Sequence, residues 1–146
     1  MDDDLDAERI LESLRRFHGH LGPFAVVGYR MGTLANAELG ADPFGKRAVV
    51  KTGIGPPLSC IVDGVQYASG CTLGKGNLRV SHERIPEAVF STEDAVLTVT
   101  LRDEVLAEIE SCLGGDIEST ARRMFARPDN VLFSVVRRAA PARRRS

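Results

Sequence analysis

Apolar positions follow a helical period at the two ends of the chain and a strand-like pattern between them. Ile10, Leu14 and Phe17 fall at i, i+4 and i+7, one face of a helix expected over roughly residues 5–17. Asp2, Asp3 and Asp4 stand where negative charge favours a helix N-terminus, and Gly19 and Gly22 punctuate its end. Pro23 suits the first position of a second helix, because its missing N–H costs nothing there. That helix runs to a stop at Gly40 and turns Val26, Val27, Met31, Leu34 and Ala35 toward a core. Gly28 and Gly32 share a face of it, which permits close packing of another element. A dimer contact through them is a weaker alternative, since that motif belongs to membranes.

The middle of the chain reads as RAVVKTGI (strand), then SCIVDGVQYAS (short helix with Ser59 as N-cap), then the glycine-rich loop GCTLGKGN. Three strand-like runs follow: NLRVSHE, EAVFST and AVLTVTLR. Two helices are expected near 103–113 and 116–127, capped by Asp103 and Asp116, and then a last strand, NVLFSVV. The pattern implies an α+β fold in one domain over residues 1–136, with N-terminal helices packed on a mostly antiparallel sheet. Residues 137–146, RRAAPARRRS, are basic and lack an apolar period, so a solvated, disordered tail is expected.

Composition changes this picture little. A chain of 146 residues, 43% hydrophobic and 27% charged, suits one globular domain. A formal net charge of -1 gives no field that favours nucleic acid. No run of about 18 apolar residues suggests a membrane span. The acidic start is unlike a signal peptide, so a soluble, cytoplasmic protein is expected. Three cysteines, Cys60, Cys71 and Cys112, do not suggest a disulfide framework. Cys112 reads as a half-buried structural thiol.

The candidate chemistry lies in three clusters. His18 and His20 flank Gly19 at the junction of the first two helices, and only a bend at that glycine would bring both rings to one point. The plain alternative is a pair of cap or surface histidines. Cys60 opens the short helix, where free amides and the dipole stabilise a thiolate, and Asp63 lies one turn on. Cys71 follows Gly70 at that helix's other end. A straight helix of about ten residues is roughly 15 Å long, which argues against both sulfurs on one ion. Imidazole plus thiolate suits zinc, nickel, copper or iron rather than magnesium or calcium. GCTLGKGN is no phosphate loop: three residues, not four, separate Gly70 from Gly74, and Gly76 follows Lys75. Its amides together with Lys75 remain a candidate anion nest.

His18-Gly19-His20-Leu21-Gly22-Pro23, the segment Gly28 to Gly32, and Cys60, Asp63 and Gly70-Cys71-Thr72-Leu73-Gly74-Lys75-Gly76-Asn77, in this order, resemble the FmdE family, named for a component of formylmethanofuran dehydrogenase. The likeness covers roughly residues 10–100. It implies an α+β domain, often dimeric, with a His/Cys pocket. His18, His20, Cys60 and Cys71 would be metal ligands, for zinc first and nickel or iron as alternatives. Asp63 would orient a ligand, and Lys75 would hold an anionic group of a bound small molecule. Gly22 stands where the family's motif has cysteine, which removes one candidate ligand or nucleophile. Only Cys112 follows Cys71, so the C-terminal four-cysteine zinc finger of many relatives is not expected.

Three functions compete. One is a homodimeric, metal-binding accessory protein of one-carbon or redox metabolism. Another is a small enzyme using a metal-activated water or a thiolate, for which no catalytic residue is singled out. The last is a small-molecule binding or sensor module.

Overall fold

The computed structural model describes residues 2–142. Among these, helices α1 (Asp2–His18) and α2 (Pro23–Leu39) precede strand β1 (Arg47–Val50), helix α3 (Cys60–Ser69) and strands β2 (Leu78–Val80), β3 (Glu87–Ser91) and β4 (Ala95–Leu101). Helices α4 (Asp103–Cys112), α5 (Ile117–Ala126) and α6 (Asp129–Leu132) then lead to strand β5 (Phe133–Ala139). The sheet order is β2-β1-β3-β4-β5. β1 and β2 pair in parallel through the crossover helix α3, and every other pair is antiparallel. The fold is α+β, as the pattern implied, and no described helix is long and apolar enough to cross a membrane.

The centre of the molecule is α2 against α3. α2 is buried along most of its length, from Pro23 to Gly28 and again at Met31, Gly32, Leu34 and Ala35. Backbones meet directly at three glycines. A methyl group at Gly28 would overlap the Ile61 carbonyl, one at Gly64 would overlap the Ala25 carbonyl, and one at Gly32 would sit 2.6 Å from Ala68 Cβ. The shared face of Gly28 and Gly32 therefore serves packing within the chain. Asn36 adds a hydrogen bond from Nδ2 to the Ala68 carbonyl, 2.9 Å.

β4 alternates strictly, with Ala95, Leu97, Val99 and Leu101 turned inward. Arg30 of α2 reaches the carbonyls of Met124, Phe125 and Arg127 at 3.1, 2.7 and 2.6 Å, satisfying the C-terminal end of α5. Its other terminal nitrogen binds Asp129 at 2.7 Å.

Several expected details differ. α1 begins at Asp2, and its buried residues are Leu11 and Leu14. Phe17 is exposed and stacks on Tyr67 instead, with ring centroids 5.5 Å apart. Ser59 and Asp103 do not cap. Ser59 is already helical with no side-chain bond, and Asp103 is the first residue inside α4. Asp116 does cap, accepting from the Ser119 amide at 3.0 Å. Asn130 to Leu132 form part of α6 rather than strand, because Pro128 starts a helical turn at Asp129. β5 instead runs on through Arg137–Ala139, into the segment expected to be a tail. There β4 supplies backbone partners out to Ala95 opposite Ala139, which the side-chain pattern does not reveal. Residues 143–146 of that tail lie outside the described residues.

Replacing Gly64 with alanine forces the two helix backbones apart. Overpacking of this kind costs roughly 3 kcal/mol. Urea denaturation is expected to show that loss for Gly64→Ala and almost none for Gly114→Ala, where a methyl group meets nothing within 4 Å.

Candidate functional site

α1 ends at His18, and Gly19 takes φ 108°, a conformation open to glycine and costly for other residues. That turn folds the chain back so that the rings of His18 and His20 lie 4.8 Å apart, tilted by 47°. The bend that the two histidines needed is present. α3 then brings Asp63 under His18, with Nδ1 2.6 Å from Asp63 Oδ2. An ionised carboxylate only accepts, so Nδ1 carries the proton, and in the neutral imidazole Nε2 keeps a lone pair.

The side chain of His18 is 8% exposed. Its Nε2 is buried and has no hydrogen-bond partner. A buried acceptor left without a donor costs about 1–3 kcal/mol. His20 is exposed and lies over Gly22: a Cβ there would stand 2.7 Å from its Cε1. A side chain at position 22 would have to move this ring.

Cys60 is half-buried, three residues before Asp63 and so on the same face of α3. Burial pushes its thiol above the ordinary value, and the Asp63 carboxylate adds to that. The expected dipole-stabilised thiolate is thus corrected. The amides of Ser59, Cys60, Ile61 and Val62 already donate to the carbonyls of Gly55, Pro57, Leu58 and Ser59, so these four are not free to meet the sulfur.

Cys71 and Lys75 do not join this cluster. Cys71 is fully buried at the far end of α3, and its thiol donates to the Lys46 carbonyl at 3.6 Å. The intervening helix keeps it roughly 15 Å from Cys60 at 1.5 Å per residue. Lys75 is at that same far end, with Nζ 3.2 Å from Thr72 Oγ1 and 5.8 Å from the centroid of the Phe44 ring. The loop amides are used internally: Thr72 donates to Asn77 Oδ1, Leu73 to Gln66 Oε1, Lys75 to Thr72 Oγ1 and Gly76 to the Leu73 carbonyl. Those four amides are thus already engaged, and GCTLGKGN ties α3 and β2 to the loop at Pro43, which Asn77 Nδ2 reaches at 2.7 Å. Among the described residues, no three His, Cys, Asp or Glu side chains converge enough to hold a metal ion as they stand.

The sequence pattern gave no hint of Lys46. It is 2% exposed, and its ammonium donates to the carbonyls of Gly40 and Asp42 at 2.8 and 3.0 Å, pinning the turn after α2. A lysine beside a glycine-containing turn carries no signal of burial.

The model of the FmdE family, described as the molybdenum formylmethanofuran dehydrogenase operon, matches residues 17–130. A probable S-adenosyl-L-methionine-binding protein of Archaeoglobus fulgidus is 39% identical over 72 residues, 48% of this chain. The chain spans only 20% of that relative's length. Among solved structures, a tungsten formylmethanofuran dehydrogenase FmdE-like protein from Syntrophus aciditrophicus shares the fold, with a TM-score of 0.66 at 20% identity. That match covers 92% of this chain and 73% of the other.

The three thiols are expected to alkylate in a set order. Cys112 is lowered by hydrogen bonds from Thr120 and Ser111, with the Arg123 guanidinium beside it. Cys60 is raised, and Cys71 is closed to solvent. Iodoacetamide at pH 7.5, followed by peptide mass spectrometry, should label Cys112 first, Cys60 more slowly and Cys71 only on unfolding. Raising the pH toward 9 should narrow the gap between the first two, and Cys60 reacting first would refute this ordering.

Proposed function

The chain belongs to the FmdE family, and we propose that it is a metal-binding accessory domain of one-carbon or redox metabolism whose site is anchored on Nε2 of His18. The observation that carries the reading is the state of that nitrogen: buried, unpartnered, and held as a lone-pair donor because Asp63 occupies Nδ1. A carboxylate behind an imidazole is a recurrent support for a metal ligand, since it fixes the tautomer and raises the ring's basicity. His20 and Cys60 flank His18 and Asp63, and they supply the further donors by small side-chain movements. Imidazole and thiolate favour zinc, nickel or iron over magnesium or calcium.

Cys71 has no part in this site. Asp63 acts as a positioning residue, and Lys75 belongs to the other end of α3. A zinc ion held at His18 would supply Lewis acidity, and a ligand set of three protein donors leaves a position for an exogenous molecule. The family's description and the name of the Syntrophus protein associate relatives with formylmethanofuran dehydrogenase. That association supports the accessory role.

Zinc titration of the chelator-treated chain against a chromophoric competitor tests the site. One zinc per chain is expected, abolished in His18→Ala and weakened roughly 10- to 100-fold in Asp63→Asn. Cys71→Ala should bind as the parent does. Undiminished binding in folded His18→Ala, or loss of zinc in folded Cys71→Ala, would overturn the assignment.

A further inference from the structure

Away from the histidine pair, a cleft of about 510 Å³ opens where β1 and β2 end, lined by Thr52, Gly53, Ile54, Gly55, Leu58, His82 and Arg84. Its size is that of a site for a small organic molecule. Crevices beyond the carboxyl ends of parallel strands are a recurrent place for ligands. The two walls are locked together past the strands: Ser81 donates to the Val50 carbonyl, Gly53 to Ser81 and Ile85 to Lys51, at 2.9, 2.9 and 3.0 Å.

The exposed side chains of His82 and Arg84 both border Gly53 in this lining. A Cβ at Gly53 would lie 3.6 Å from His82 Nδ1 and 3.7 Å from Arg84 Cγ. Arg84 adopts φ 61°, the single non-glycine residue with positive φ among those described. Backbone strain of this kind gathers at ligand sites. Neighbouring Lys51 is neutralised by Glu87 and Glu83, at 2.6 and 3.8 Å. The side chains of Arg84 and His82 have no such partner among the described residues. The same lining holds apolar groups, Leu58 and Ile54, the latter 74% exposed.

We propose that this cleft binds a small organic oxyanion, with a carboxylate or phosphate head on Arg84 and His82 and an apolar body against Ile54 and Leu58. A guanidinium fork suits both heads through paired hydrogen bonds. Neither His18 nor His20 is part of this lining, and the proposal needs no metal.

Sodium hexanoate, sodium acetate and inorganic phosphate are titrated into the chelator-treated, full-length chain while amide resonances are followed. Hexanoate should give saturable shifts confined to residues 52–58 and 82–84, acetate should bind there at least tenfold more weakly, and phosphate should compete with hexanoate. Arg84→Gly relieves the positive φ while removing the guanidinium, so it should stay folded and bind at least tenfold more weakly. His82→Gln should weaken binding to a smaller degree. No saturable shifts, equal affinity for hexanoate and acetate, no competition by phosphate, or full affinity in Arg84→Gly would each overturn the proposal. Zinc binding at His18 is read separately, so one site can fail without the other.

Discussion

The contact between α2 and α3 sets the rest of the structure. Gly28 and Gly64 let each helix backbone lie against the other's carbonyls, closer than any pair of side chains permits. Two consequences follow. The first is that α3 is fixed in rotation as well as position, because a turn about its axis would drive a side chain into the α2 backbone. The second is that α1, which joins α2 through the short Gly19–Gly22 connection, delivers its last residue to the same end of α3. Asp63, one residue before Gly64, is thereby aimed at His18. The glycine that allows the approach and the carboxylate that holds the imidazole are sequence neighbours for this reason.

A helix used as a crossover has two ends, and the His18–Asp63 cluster and the glycine-rich loop are divided between them. At the N-terminal end are Cys60, Asp63 and the two histidines, and the chain leading into it carries Leu58 and the cleft at Gly53. At the C-terminal end Gly70 takes φ 76° against Pro43. Cys71, Asn77 and Thr72 then knit the loop to its surroundings. The most distinctive stretch of sequence, GCTLGKGN, belongs to this second end. Several of its polar groups have partners within the chain.

The helices and the sheet were legible because burial imposes a period. α2 was readable to within a residue at each end, and the β4 alternation follows from one covered face. The part of the site that could be read was local: Gly19 between two histidines, and Asp63 one turn after Cys60. What could not be read was the pairing of distant residues. Nothing near Arg30 announces that it closes α5, and nothing near Lys46 announces that it is buried. β5 likewise takes its length from the seven residues of β4, and its own exposed positions carry no pattern. Cys71, which the resemblance implied as a metal ligand, is covered by the core, and burial of that kind is not legible in a glycine-rich loop.

Gly22 and Asp63 together bear on what the histidine cluster can hold. With glycine at position 22, the His20 ring settles over the bare backbone. One donor that the family's motif would place there is replaced by a ring free to swing. Asp63 meanwhile acts on both of its neighbours. It draws the proton of His18 onto Nδ1, and its charge opposes an anion at Cys60. A thiolate working alone at Cys60 would face that carboxylate with no cation to offset it. In the proposed site His18 Nε2 and Cys60 would hold a divalent ion, whose positive charge would offset the Asp63 carboxylate and favour the thiolate. The carboxylate that raises the Cys60 thiol would, under the proposed metal site, favour a cation beside it.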